Sequence, residues 1–214
     1  MGVDATGLRE RKKQRTREAI VDAALRLFEE RGFEHTTIAD IAEAADIAPR
    51  TFFGYFPSKE DVVFADFPQT LETLAARLRG RADDETAIDA LRAWIGGLLE
   101  EMGLIEERER CRKRVIGESQ ALAAHNRALM GQVEELLSEH IARDLGDRPD
   151  DVRPRMIASS VIGALTALDV KGTDRGESLP TKDEALAIVD EALTFLQGGL
   201  DALRRAERRS VQAV

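Results

Sequence analysis

Residues 37–55 read TIADIAEAADIAPRTFFGY, and their punctuation specifies two short helices separated by a tight turn. Thr37 followed by Asp40 has the form of a capping box, in which the hydroxyl accepts a backbone N–H and the carboxylate reaches back. Ile38, Ile41, Ala42 and Ala45 repeat at helical spacing, so a helix runs through Ala44 with one apolar face. After Asp46, Ile47 and Ala48, Pro49 suits the first position of a second helix, where a missing N–H costs nothing. That helix spans 49–55 and ends at Phe56 and Pro57, because the residue before a proline avoids the helical region.

Upstream, Ile20, Ala23, Ala24, Leu27 and Phe28 form one apolar helical face, which predicts a helix over 8–31 closed by Gly32. Downstream, Ser58 and Asp61 form a second capping box that opens a helix to about residue 79, carried by Val62, Val63, Phe67, Leu71, Leu74 and Leu78. Beyond Gly80, helices are predicted over 84–102, 106–119, 121–145, 151–170 and 181–207, the last opened by a box at Thr181 and Glu184. No stretch shows the period of a strand. The expected fold is all-α, with about nine helices: a helix-turn-helix domain over 1–60 and a helical domain over 61–214. Two helices joined by a turn of this length place the second in a DNA major groove.

The chain has 214 residues, 43% apolar and 33% charged, a globular balance. A single cysteine, Cys111, excludes a disulfide framework and an all-thiolate metal site. The N-terminus has no apolar segment, and the nearly uncharged run 156–170 is too short to cross a bilayer, so a cytoplasmic protein without membrane contact is expected. The net charge of −9, taken as a sum, argues against nucleic acid. Its distribution matters more. Residues 1–60 carry ten Lys/Arg and eleven Asp/Glu, while 61–214 carry twenty-one and twenty-nine. Within 8–17, Arg9, Arg11, Lys12, Lys13, Arg15 and Arg17 face one acid, Glu10, which makes a basic arm.

The chain resembles the tetracycline-repressor (TetR) family of bacterial transcription regulators. The resemblance lies in residues 17–28, Gly32 and Phe33, 36–42 and 49–61, and covers about residues 15–65. It implies a recognition helix at 49–55, a ligand-binding and dimerising C-terminal part, and a role as a repressor. Three positions depart from the family pattern. Asp46 stands where glycine is frequent, Ala48 where a capping Ser or Thr is frequent, and Phe53 where tyrosine is common.

Candidate DNA contacts follow residue by residue. Pro49, Arg50 and Thr51 lie in the first turn of the recognition helix, where an arginine can bond bidentately to guanine; the plainer reading of Arg50 is a solvated surface residue. Phe53 can touch a thymine methyl. Thr37 caps a helix whose free N–H groups also suit a phosphate. Tyr55 and Lys59 are expected to position phosphates, and Arg17 with the rest of the arm to order on phosphate or reach a neighbouring groove. Phe28, Phe33, Phe52 and Phe56 read as core.

In the C-terminal part, 156–170 is apolar nearly all round and must be covered on most sides. The last helix carries two apolar faces. A two-fold, four-helix interface is therefore placed on 151–206, with Val161, Leu165, Val189, Leu196 and Leu200 facing the twin, against the plainer reading of a core pair within one subunit. Trp94, Leu98, Met102, Cys111, Ile116, Leu122, Met130, Val133 and Ile162 are candidates for an effector pocket or ordinary core. The cluster Arg108, Arg110, Arg112, Lys113 and Arg114 suits either a pocket mouth that attracts an anion such as an acyl-coenzyme A, as in some similar regulators, or a surface charge run. His125 and His140 have no partner at metal spacing, so no metal or cofactor is expected. No nucleophile–base signature or phosphate loop marks an enzyme. The expected partners are a palindromic double-stranded DNA operator, a second copy of the chain and a hydrophobic or acyl-coenzyme A-like effector. The alternatives are an activator, or a DNA-binding regulator or architectural protein with no small-molecule ligand.

Overall fold

The computed structural model describes residues 3–102, 106–173 and scattered positions from 183 to 198, and among these every regular element is helical. The helices are α1 (Val3–Arg31), α2 (Ile38–Ala44), α3 (Pro49–Phe52), α4 (Lys59–Val63), α5 (Phe67–Arg79), α6 (Ala87–Met102), α7 (Glu106–Glu118), α8 (Gln120–Leu145) and α9 (Val152–Thr173). Most of the predicted helix over 181–207, with Val189, Leu196 and Leu200, lies outside the described residues.

Three boundaries differ from expectation for identifiable reasons. The α1 helix begins at Val3 rather than residue 8, so the basic arm is already helical. The helix predicted over 58–79 is two helices, α4 and α5, with a turn at 64–66. Pro68 causes the break: it has no N–H to donate to residue 64 and its ring clashes with that carbonyl, so it is tolerated only in a helix's first turn. The α6 helix starts at Ala87 rather than 84 because Thr86 and Asp89 form a reciprocal box, Thr86 N to Asp89 Oδ2 at 3.2 Å and Asp89 N to Thr86 Oγ1 at 3.1 Å.

The chain divides into two compact units, residues 1–68 with 106–128 and residues 69–105 with 129–214. The division expected at residue 60 therefore falls inside the first unit, which also takes in α7 and the beginning of α8. Its core gathers Ile20, Val21, Ala24, Leu25 and Phe28 of α1 with Phe33, Ile41, Phe52, Phe56, Val62 and Val63, and with Cys111, Val115 and Leu122 from the later segment. Each large side chain so buried contributes about 1.5–3 kcal/mol. The four phenylalanines read as core are all buried.

The second unit is built on Leu74 and Leu78 of α5, Ala87, Ile88 and Leu91 of α6, Leu137 and Ile141 of α8, and Ile157, Ala158, Val161 and Ile162 of α9. Val161 is 1% exposed and Leu165 packs against the same cluster. Val161, expected to face a twin, is thus covered by its own subunit's core, while Leu165 packs against that core and stays partly exposed. The outward face of α9 carries Val152, Met156, Ser159, Ser160 and Gly163. Where the chain turns from α5 into α6, Arg81 donates to Leu78 O (2.9 Å), Glu85 O (3.1 Å) and His140 Nδ1 (2.8 Å), and pairs with Asp144. Burial first, and then the Arg143 and Arg81 guanidinium groups, hold the His140 imidazole below its ordinary pKa.

Candidate nucleic-acid interface

The helix-turn-helix is assembled from local bonds that the sequence announces. Thr37 closes the capping box of α2: its N donates to Asp40 Oδ2 at 2.8 Å, and Asp40 N donates to Thr37 Oγ1 at 3.2 Å. These bonds from Thr37 hold the Asp40 carboxyl below the usual carboxylate range. Ser58 accepts from Asp61 N at 3.2 Å at the start of α4. Thr36, buried, donates its hydroxyl to Gly32 O (2.9 Å) and Leu27 O (3.3 Å), which ties the loop before α2 to the end of α1.

The turn itself is a Schellman motif. Ile47 N donates to Ala42 O (2.9 Å) and Asp46 N to Glu43 O (3.1 Å), so the residue between helix end and turn must be left-handed. Asp46 takes that conformation, at φ +54°. The departure from glycine noted in the sequence is therefore a departure at a left-handed position, where any side chain meets steric cost. Ala48, as expected, gives α3 no side-chain cap.

The α3 helix is one turn long, and hydrogen-bonded turns continue it through Tyr55 and Phe56. Its faces divide sharply. Phe52 is 0% exposed, while Pro49, Arg50 and Thr51 are exposed and Phe53 is 57% exposed, its ring standing edge-on to Phe52 at 5.7 Å. Gly54 relieves a tight spot here, since a Cβ would meet Thr51 O at 3.2 Å. A rigid inner face thus presents a guanidinium, a hydroxyl and an aromatic edge outward, the chemistry that reads base edges.

Arg17 and Lys59, expected at phosphates, have internal partners. The Lys59 ammonium donates to Phe33 O (2.7 Å) and Thr36 O (3.2 Å) and lies 4.2 Å from the centre of the Phe33 ring. The Arg17 guanidinium donates to Ala65 O, lies 3.8 Å from an Asp66 carboxylate oxygen and sits 4.9 Å from the centre of the Phe56 ring. Both hold the elements around α3 in place. No acidic side chain among the described residues pairs with Arg9, Arg11, Lys12, Lys13 or Arg15.

The second basic run behaves differently. Arg108 lies 3.5 Å from Asp22, Arg112 bonds Asp66 (2.9 Å) and Glu109 (2.5 Å), and Arg114 pairs with Glu29. At Arg108, Arg112 and Arg114 the run is ion-paired within the first unit, with the Arg114 side chain still half exposed. The acids Asp22, Glu29 and Asp66 were missed as partners; Asp22 and Glu29 are spaced one charge per two turns on α1, the only sequence trace they leave.

The pocket candidates separate. Trp94, Met130, Val133 and Ile162 pack on the second unit's core, with Trp94 Nε1 donating to Thr73 Oγ1 at 3.2 Å. Cys111, Leu122 and Ile116 belong to the first unit's core, where the Cys111 thiol faces Leu25 O at 3.4 Å. Leu98 is half-buried, and the Met102 side chain lies outside the described residues. Among the described residues no group of three His, Cys, Asp or Glu could hold a metal ion, and no helix is long and apolar enough to cross a membrane.

The capped α2, the left-handed turn and the outward-facing α3 define a helix-turn-helix transcription regulator. The chain belongs to the TetR family: the model of bacterial regulatory proteins, tetR family, matches residues 20–65, and that of the MftR C-terminal domain matches residues 85–201. The regulator TcmR of Streptomyces glaucescens is 36% identical over 162 residues, 72% of this chain and 71% of its own. MftR of Mycobacterium tuberculosis, assigned by its name to mycofactocin biosynthesis, is 32% identical over 200 residues, 91% of this chain and 96% of its own. Among solved structures, the SmeT–triclosan complex matches with a TM-score of 0.62 at 23% identity, covering 84% of this chain and 90% of that one. The Thermus thermophilus repressor FadR in complex with lauroyl-CoA matches at 0.55 and 23% identity, covering 85% and 93%. The last two show the shared fold.

Proposed function

We propose that the protein is a dimeric repressor that reads a palindromic operator through α3 and is released by a small molecule bound in its C-terminal part. The observation that carries this reading is the division of α3: Phe52 is locked in the core while Arg50, Thr51 and Phe53 stand free. A helix anchored this way keeps its register in a major groove, with Arg50 placed for guanine O6 and N7 and Phe53 for a thymine methyl. Thr37 and Tyr55 position backbone phosphates on the flanks.

The twin is met through the outward face of α9, where Val152 is 80% and Met156 48% exposed beside Ser159, Ser160 and Gly163. An apolar stripe with small residues permits close helix packing across a two-fold axis. Paired recognition helices about 34–36 Å apart then read half-sites one turn apart. An effector that favours a different separation opposes DNA binding by a reciprocal coupling of about 1–3 kcal/mol. The relatives crystallised with triclosan and lauroyl-CoA support an effector with a large apolar body, and Trp94, Leu98, Met130 and Ile162 are its candidate lining.

Arg50→Ala tests the core of this reading. Losing the arginine from each half-site weakens operator binding, measured by fluorescence anisotropy, by about 1–3 kcal/mol per site, while dimer mass and melting temperature stay unchanged. Wild-type affinity in the variant would remove α3 from the recognition role.

A further inference from the structure

The turn between α5 and α6 is held to α8 by one guanidinium. Arg81, whose side chain is 9% exposed, donates within the turn to Leu78 O and Glu85 O, reaches His140 Nδ1 at 2.8 Å and pairs with Asp144. The other Asp144 oxygen accepts at 2.6 Å from the N–H of Ala87, the first residue of α6. His140 is buried, and Arg143 Nη1 lies 3.3 Å from the same Nδ1. A guanidinium only donates, so Nδ1 must be the acceptor, and the neutral ring carries its proton on Nε2. A protonated imidazole has two donors and no acceptor. One proton at Nδ1 therefore abolishes the Arg81 bond and sets an imidazolium against two guanidinium groups. All of these groups lie in the second unit.

We propose that His140 is a proton-operated release for the turn over residues 80–86, in which Asp144 changes partner. With the ring neutral, Asp144 pairs with Arg81 and the turn is closed. When Nδ1 takes a proton from solvent, Arg81 is expelled, and Asp144, four residues further along α8, becomes the partner of the imidazolium as an i, i+4 pair. Burial first, and then Arg143 and Arg81, resist the proton, while Glu139 and Asp144 on α8 favour it. Burial and Arg81 oppose it only in the closed form, so acid drives the turn open. The freed segment leads into α6, whose Trp94 donates to Thr73 of α5. Trp94 and Leu98 are candidate effector lining, so the release makes effector binding depend on pH. That last step rests on the effector lying against α6; the release itself does not.

Hydrogen exchange of the full-length protein, read by mass spectrometry and corrected for the intrinsic pH dependence of exchange, tests the release. With the open-form ring at its ordinary pKa of 6.5, lowering the pH from about 7.5 to about 5.5 raises opening of the turn about tenfold. Peptides over residues 80–88 are expected to lose that much protection, while peptides over 20–30 in the first unit keep theirs. His140→Gln supplies an amide oxygen that accepts from Arg81 at either pH, so its turn is expected to change less than about twofold. Should that variant not fold, His140→Met, which has no group to protonate, serves instead with the same expected absence of pH dependence. A wild-type turn equally protected at both pH values would overturn the release. So would an equal loss in the variant, or an equal loss over 20–30, which marks global unfolding. Peptides over 89–98, which carry Trp94 and Leu98, are expected to lose protection in the same direction; none lost there would confine the release to the turn and cut its link to the effector. Wild-type operator affinity in Arg50→Ala would overturn the recognition reading and leave the release standing.

Discussion

Residues 8–17 and 108–114 are much alike in sequence, with six basic side chains against Glu10 in the first and five against Glu109 in the second. In the fold they diverge. On α7, Arg108, Arg112 and Arg114 reach carboxylates of Asp22, Asp66 and Glu29, and Arg112 is 13% exposed. On α1, five of the six cations are exposed and, among the described residues, make no ion pair. Charge that is paired and covered serves the fold; charge left in water remains available to a partner. Positive charge in sequence therefore carries no function until its partners are known.

That difference can be broken experimentally. The largest effect is expected from Arg112→Ala, which removes the guanidinium shared by the Asp66 and Glu109 carboxylates, Asp66 keeping Arg17 nearby. Hydrogen bonds to charged groups of this kind contribute about 1.5–3 kcal/mol, and a chemical melt should show a loss in that range. A variant as stable as wild type would place α7 with α1 as a solvated run.

The same logic extends to Arg81, whose bond to His140 needs a neutral imidazole. Because the folded pKa of His140 is lowered, the unfolded chain takes up a proton below its ordinary pKa of 6.5 that the folded chain refuses. Stability is full above that value and falls as pH drops from 7 toward 5. His140→Gln should flatten this part of the pH–stability curve, and an unchanged slope would refute the assignment.

Smaller still is the effect of Asp46→Gly, which touches neither run. It removes a steric cost of about 1 kcal/mol at the left-handed position, partly offset by glycine's greater freedom when unfolded. A modest rise in melting temperature is expected, and a fall would mean the Asp46 side chain contributes something the turn geometry does not. Last, Arg11→Ala with Lys13→Ala should leave the melt within about 0.5 kcal/mol of wild type, as exposed substitutions do. A larger loss would make the α1 run structural like its α7 counterpart.

The helix-turn-helix was largely legible because its signals are local. Thr37 with Asp40, Pro49, Gly32 and the spacing of Ile20 to Phe28 each act within a few residues, and each produced the expected element. Pro68 was equally legible as a break and was overridden by the apolar spacing from Val62 to Leu78. The face of α9 could not be read: a helix apolar nearly all round has no polar side to mark, so Val161 inward and Met156 outward are decided by tertiary packing. The internal partners of Lys59 and Arg17 were hidden for a related reason, since only the fold brings Phe33 O and Ala65 O within reach.

The first unit takes its residues from two separate stretches, with Cys111, Val115 and Leu122 completing a core begun by Leu25 and Phe28. A graft of residues 1–60 onto a relative's C-terminal part would leave those apolar surfaces against foreign side chains and Asp22 and Glu29 without their arginines. The integrity of the first unit is thus inherited with α7 and the start of α8. Exchanging the unit between relatives means moving residues 1–68 and 106–128 together.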